Sequence, residues 1–212
     1  MRLRKILFSF FILLSIASTA QTEQEATKLL DAFSAKAAGA TSVSMKFSLV
    51  TENQVEKTTD TLQGYVILSK DKYRLELPDN IIFFNGQNSW SYLPAEKEVT
   101  ITKIDKEDKT FMSRPSAIFT MYKSGFKCRL IEELPAAYVI DMYPEDLKNE
   151  VIRIRITIGK QLMDLKTLEY KRRDGITATL QVREYDLNKK PSQDDFAFNK
   201  DKYKGVEVVD MR

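Results

Sequence analysis

Histidine is absent from this chain of 212 residues, and cysteine occurs once, as Cys128. The absence of histidine excludes Ser-His-Asp and Cys-His catalysis, metal sites that contain histidine, and a histidine pH switch. A single cysteine excludes an internal disulfide and a metal site built from several cysteines. Glycine and proline are scarce as well, with 7 and 6 residues, and the scattered glycines form no phosphate-binding loop.

Adjacent carboxylates and Cys128 are the remaining candidates for catalysis. In a strand, neighbours such as Glu132 and Glu133 point to opposite faces, so they do not form a catalytic dyad. Cys128 alternates in phase with Phe126 and Leu130, which predicts a buried and unreactive thiol. Lysine-based and carboxylate-only enzymes stay open as alternatives, but no motif marks one. The protein is therefore predicted not to be an enzyme and to need no cofactor or metal.

The excess positive charge is confined to the N-terminus. Arg2, Arg4 and Lys5 are three of the 33 Lys and Arg residues, and no acidic residue precedes Glu23. The rest of the chain has as many basic as acidic residues. A nucleic-acid partner is not expected, because phosphate binding needs a basic face.

Residues 1–20 have the order of a secretory signal peptide. A basic start is followed by an apolar run over residues 6–16 and by small residues before Gln21. A membrane anchor is the alternative, but the run is short for a span of about 20 residues. The sequence predicts cleavage near Ala20, export to the periplasm, and one domain over residues 21–212 that is not embedded in a membrane.

Hydrophobic periodicity predicts one helix followed by many strands. Leu29, Leu30 and Phe33 fall on one face of a helix over residues 22–38. From residue 43 onward apolar and polar residues alternate, and Asn85-Gly86 is a strong hairpin signal. The predicted strands lie around 43–49, 62–68, 73–77, 81–84, 90–92, 98–104, 126–131, 137–143, 152–158, 162–172 and 176–187, with final ones at 196–198 and 206–209. Residues 105–110 are predicted as a loop, and a short apolar helix starts at Pro115.

This pattern indicates a mainly β (α+β) protein built on a curved antiparallel sheet of ten or eleven strands. Two helices are too few to seal the apolar face of such a sheet, which favours an apolar groove. The 12 Phe and 7 Met residues suit an irregular apolar ligand. The alternative is that they simply fill a core.

Residues 86–94, which read GQNSWSYLP, resemble the Gly-x-x-x-Trp-x-Tyr-x-Pro hairpin of the periplasmic lipoprotein carriers, the LolA-like family. The ending is similar too, with FAF at 196–198 and GVEVVD at 205–210. Each motif alone is weak, but their order and spacing extend over nearly all of residues 22–212.

The resemblance implies an open half-barrel with helices lying over its mouth as a lid. It implies a carrier that holds the acyl chains of lipoproteins. A monomer is expected, because hand-over of cargo is simplest for a monomer. The cargo comes from an inner-membrane ABC transporter complex and goes to an outer-membrane acceptor. The expected groove residues are Phe47, Leu49, Val66, Leu68, Tyr73, Leu75, Ile82, Trp90 and Tyr92. The expected lid residues are Leu29, Leu30, Phe33, Ile118, Phe119 and Met121.

One turn departs from the family pattern. Better-studied members carry an arginine after the second strand that is tied to lid closure, whereas residues 69–72 read SKDK. A lysine ammonium does not reproduce the planar fork of a guanidinium. A periplasmic sensor or interaction domain on the same scaffold, and a carrier of another lipid class, are therefore kept as alternatives.

Overall fold

The computed structural model describes residues 22–103 and 114–212. In these residues one α-helix packs against a twelve-stranded sheet. The helix α1 covers residues 22–38. The strands are β1 (Val43–Asn53), β2 (Thr58–Ser69), β3 (Lys72–Glu76), β4 (Ile81–Phe84), β5 (Asn88–Leu93), β6 (Glu98–Lys103), β7 (Phe126–Glu133), β8 (Ala137–Pro144), β9 (Val151–Gly159), β10 (Leu165–Arg172), β11 (Ile176–Asp186) and β12 (Glu207–Asp210). Short 3₁₀ helices cover Pro115–Phe119, Met121–Lys123, Gln193–Asp195 and Lys200–Lys202.

The strand order is β12-β6-β5-β4-β3-β2-β1-β11-β10-β9-β8-β7, and the sheet is open. Strand β1 lies in the middle, where it pairs with both β2 and β11. This architecture confirms the predicted class, mainly β with few helices in one unclosed sheet. The sheet has twelve strands rather than ten or eleven, and β12 joins β6 in parallel, so the sheet is not wholly antiparallel.

Some predicted segments differ from the structure or lie outside it. The strand predicted at 196–198 is wrong, because these residues follow a 3₁₀ helix in irregular backbone and Phe196 and Phe198 serve as packing groups. The helix predicted from Pro115 is a pair of 3₁₀ turns. The predicted signal peptide, residues 1–20, and the predicted loop, 105–110, lie outside the described residues.

Alternation on β1 places Val43, Met45 and Phe47 on the face against which α1 packs, which we call the inner face. The ring of Phe47 lies over Gly64 on the neighbouring strand β2. A Cβ atom at Gly64 would come within 2.7 Å of Phe47 Cε2. Glycine at position 64 of β2 therefore makes room for the ring of Phe47 on β1.

The opposite, outer face has its own apolar cluster at one end of the sheet. Phe83, Tyr92 and Val99 project there and are covered by the C-terminal segment, including Val206. The rings of Tyr92 and Tyr203 lie 4.7 Å apart between centroids. The C-terminal segment thus packs across the outer face before it pairs as β12.

Farther along the outer face, a buried carboxylate is held by charged groups. Asp141 on β8 is 1 % exposed. Arg155 on β9 donates two hydrogen bonds to it, at 2.6 and 2.8 Å, and the Tyr143 hydroxyl donates a third at 3.0 Å. Burial by itself raises the pKa of Asp141, but these hydrogen bonds outweigh it and leave the pKa below its usual value.

Candidate functional site

The inner face carries a continuous apolar cluster that extends from β4 through the sheet centre to β7. The side chains of Met45, Val66 and Leu75 are 0 % exposed, as are Ile156 and Ile158 on the other half of the sheet. Such an apolar surface is stable in water only when something covers it. The site is therefore defined by this face and by the segments that cover it.

Two segments form that cover, and we call them the lid: α1 and the turns from Pro115 to Lys123. Phe33 of α1 and Phe119 of the turns have ring centroids 5.1 Å apart. The Tyr122 hydroxyl donates a hydrogen bond to Asp31 Oδ1 at 2.5 Å. The two parts of the lid are thus joined by an aromatic contact and by the Tyr122 hydroxyl, which also hydrogen-bonds Ser34 of α1.

Seven predicted groove residues lie on the inner face. Five of them are buried and two, Leu49 and Ile82, are half-buried at the border of the cluster. The seven are Phe47, Leu49, Val66, Leu68, Tyr73, Leu75 and Ile82. The structure brings them together, and α1 and the turns occupy the space in front of them.

Trp90 and Tyr92 do not belong to this group, so their predicted place in the groove is wrong. Both lie on the outer face, where Trp90 faces Phe83 across the β4–β5 pair and Tyr92 contacts Tyr203. Ser89 and Ser91 take the inner positions of β5, because they face Phe84 and Ile82. The hairpin aromatics therefore hold the C-terminal segment rather than line the inner face.

All six predicted lid residues pack on the inner cluster. Leu30, Phe33, Ile118 and Phe119 are buried, whereas Leu29 and Met121 are half-buried. The half-buried positions mark where the lid meets solvent.

Sequence reasoning missed the half of the inner face formed by β7 to β11. Its buried members are Cys128, Ile140, Met142, Ile154, Ile156, Ile158, Leu165, Leu168 and Leu180. The alternation of isoleucines in β9 was visible, and it predicted a half-buried strand. This alternation did not show that the buried isoleucines of β9 belong to the face against which α1 packs.

Burial controls the acid–base state of the few titratable groups near the lid. Burial raises the pKa of the Cys128 thiol to about 11, helped by the charge of Glu23. Burial also raises the pKa of Tyr122 to about 12, and the hydrogen bond to Asp31 adds to this. At neutral pH the thiol is protonated, which makes it a poor nucleophile.

The SKDK turn contacts the chain just after α1. Ser69 Oγ donates a hydrogen bond to the Thr41 carbonyl oxygen at 2.9 Å, while Lys70, Asp71 and Lys72 are exposed. The turn is thus tied to the α1–β1 connection through a serine.

Within residues 22–103 and 114–212, no three side chains of metal-binding type come together to hold an ion. No helix in the same ranges has the length and apolar character needed to cross a membrane.

The sequence matches the family model described as outer membrane lipoprotein carrier protein LolA over residues 16–175. The chain belongs to this family. Among curated proteins, no sequence matches it.

Several solved structures are similar to this chain at low sequence identity. An uncharacterized conserved protein from Thermus thermophilus is 14 % identical with a TM-score of 0.58, covering 88 % of this chain and 99 % of that one. A LolA superfamily protein from Nitrosomonas europaea is 11 % identical with a TM-score of 0.42, covering 84 % and 98 %. The MucA/MucB complex from Pseudomonas aeruginosa is 12 % identical with a TM-score of 0.38, covering 80 % and 61 %.

Proposed function

We propose that the protein is a periplasmic carrier that binds the acyl chains of lipoproteins between the lid and the inner face. One observation carries the proposal: a large apolar face is covered by two segments that are not strands of the sheet. Such a cover can separate from the face without breaking the backbone hydrogen bonds between the strands of the sheet. Membership of the LolA family supports the same function.

Acyl chains in water are costly, at about 0.8 kcal/mol for each CH₂ group. A lipoprotein anchor therefore needs a covered apolar surface to cross an aqueous compartment. In the closed structure, side chains such as Phe33 and Ile118 occupy that surface and are themselves buried. Acyl chains must replace these contacts, which keeps the net affinity moderate and allows release.

The proposed groove floor is the inner-face set Phe47, Leu49, Val66, Leu68, Tyr73, Leu75 and Ile82. The proposed lid contacts are Leu29, Leu30, Phe33, Ile118, Phe119 and Met121. Among them, Leu29, Leu49, Ile82 and Met121 are half-buried, so they are the first that a ligand reaches.

The protein acts by binding rather than by catalysis under this proposal. It receives cargo from an inner-membrane ABC transporter complex and passes it to an outer-membrane acceptor. It works as a monomer, because one lid and one face form a complete site. Directional transfer then depends on an acceptor that binds the cargo more tightly.

A titration with a fluorescent peptide that carries an N-terminal acylated cysteine tests the proposal. The protein is the chain from Gln21 onward, which contains every described residue, and the same peptide without acyl chains is the control. We expect saturable binding of the acylated peptide alone. Met121→Gln should weaken it, because an amide is placed in the apolar contact, whereas Leu147→Gln, at a side chain 81 % exposed, should not.

Failure to bind either peptide would contradict the carrier function. Co-purification with a protein partner instead of lipoproteins would then favour a sensor or interaction module. Binding of a different lipid class from a cell extract would retain the groove but change the cargo.

A further inference from the structure

Tyr170 places a polar group within the apolar inner face. It lies on β10, opposite Ile154 of β9 and Ala178 of β11. Ile154 is 2 % exposed and belongs to the buried cluster, against which Tyr170 packs. The phenol ring is therefore part of the surface that the lid covers.

The Tyr170 hydroxyl is paired with the lid rather than with the sheet. It donates to Met121 Sδ at 3.8 Å. A thioether sulfur is a weak acceptor. Burial raises the pKa of Tyr170, so the hydroxyl keeps its proton and remains a donor. When the lid moves, this donor loses its acceptor.

We propose that Tyr170 donates a hydrogen bond to the carbonyl oxygen of the ester or amide that links an acyl chain to its headgroup. The proposal rests on the acyl-binding function above and narrows its ligand class. The ligand carbonyl takes the place of Met121 when the lid is displaced. Hydrocarbon chains offer no acceptor, and an alkyl ether oxygen is a weaker one than a carbonyl. The site thus selects acyl esters and amides over alkyl ethers of equal length.

Tyr185 is another phenol on this face, and it lies at a different position from Tyr170. It faces Met45 across β1 and β11, and within the described part of the chain its buried hydroxyl has no hydrogen-bond partner. It lies seven positions along β11 from Ala178, which faces Tyr170. At about 3.3 Å per residue the separation is roughly 23 Å. One linkage cannot reach both hydroxyls, and Tyr170 is the one whose acceptor belongs to the lid.

Two matched probes test the assignment. Both are fluorescent peptides with a lipid-modified N-terminal cysteine. One carries two ester-linked palmitoyl chains, and the other carries two ether-linked hexadecyl chains. The wild-type chain should bind the ester probe roughly three- to tenfold more tightly, which is the effect of one net hydrogen bond. Tyr170→Phe should lower ester affinity to the ether level and leave ether affinity unchanged.

A spectroscopic measurement distinguishes this bond from a packing effect. With a ¹³C label on the ester carbonyl, the bound C=O stretch should lie at lower frequency in the wild type than in Tyr170→Phe. The phenylalanine variant keeps the ring, and circular dichroism verifies its fold. Tyr185→Phe is the matched control and should retain both the preference and the frequency shift.

The outcomes separate the two proposals. Equal binding of both probes by the wild type would overturn the role of Tyr170 but leave the acyl-binding function standing. Loss of the preference in Tyr185→Phe instead of Tyr170→Phe would overturn the assignment to Tyr170. Failure of the wild type to bind either probe would overturn the acyl-binding function and this inference with it.

Discussion

Tyr122 and Asp31 join the two halves of the lid through a 2.5 Å hydrogen bond, although they lie 91 positions apart in the chain. Asp31 belongs to α1, and Tyr122 belongs to the second 3₁₀ turn. Neither residue lies in a strand of the sheet, so the bond holds the lid together rather than fastening it to the sheet. The two segments of the lid are therefore linked directly to each other.

Removal of the Tyr122 hydroxyl should make the lid open more often. Cys128 is 6 % exposed and borders a surface cavity of about 440 Å³ together with Tyr122 and with Gln24 and Thr27 of α1. It is the single cysteine of the chain, so its alkylation rate reports exposure beneath α1. Tyr122→Phe should lower the free energy of opening the lid by about 1 kcal/mol, which corresponds to roughly fivefold faster alkylation of Cys128.

The matched control is Tyr143→Phe, which removes a hydrogen-bonded tyrosine hydroxyl from the outer face. Its alkylation rate should equal that of the wild type. Equal rates for Tyr122→Phe and the wild type would show that the Tyr122–Asp31 bond does not restrain the lid.

Substitution at Gly64 should disturb the core through Phe47. Gly64→Ala places a methyl group against the Phe47 ring and should lower the free energy of unfolding by about 1–3 kcal/mol. Phe47→Leu removes the obstructing ring atoms. In a double-mutant cycle, urea unfolding of the single and double variants should show that the two substitutions compensate each other. Strict additivity of the two losses would contradict the steric explanation.

Asp141 should stabilise the folded protein at pH values above 3.8, the ordinary pKa of its carboxyl group. Its folded-state pKa is lowered, so its contribution is present above that value and is lost as the pH falls through the folded-state pKa. Asp141→Asn should lower the free energy of unfolding at neutral pH by about 1–3 kcal/mol. Urea unfolding across the acid range should show that the variant loses less stability on acidification than the wild type. An identical pH dependence in both proteins would exclude this role.

Alkaline pH should destabilise the fold through groups near the lid. The pKa of Tyr122 is raised from 10.0 to about 12, so its contribution is complete below 10.0 and is lost as the pH rises through about 12. Cys128, raised from 9.0 to about 11, loses its contribution over a slightly lower range. Urea unfolding at increasing alkaline pH measures the loss, and Tyr122→Phe should show a smaller one. A free energy of unfolding that is constant over this range would contradict the prediction.

Alternation identified the strands but left the choice of face open where both faces are apolar. On β4, Ile82 and Phe84 project to the inner face while Ile81 and Phe83 project to the outer one. Each face of β4 thus carries one isoleucine and one phenylalanine, so hydrophobicity alone does not distinguish the two faces. The C-terminal segment covers the outer set, and its docking site is not visible in the sequence of β4. For this reason the sequence alone predicts Trp90 on the inner face, whereas it lies on the outer one.

The groove residues on β1 and β3 were predictable because those strands have one polar and one apolar face. Lys46 alternates with Met45 and Phe47, and it pairs with Glu184 in solvent at 2.9 Å. The hydrogen bonds of Tyr122 and Tyr170 were not predictable, because their partners lie 91 and 49 residues away. Such contacts depend on how the lid turns cross the sheet, which local periodicity does not encode.

The pairing of β1 with β11 governs when the chain can fold. Ser44 faces Asp186 in this pair, so the middle of the sheet joins two segments that are far apart in the sequence. In a growing chain, one side of β1 has no partner until residues 176–186 have been made, and closure of so long a loop slows folding. During that interval the apolar residues of β1 remain exposed. Exposed apolar strands of this kind favour aggregation until the pairing is complete.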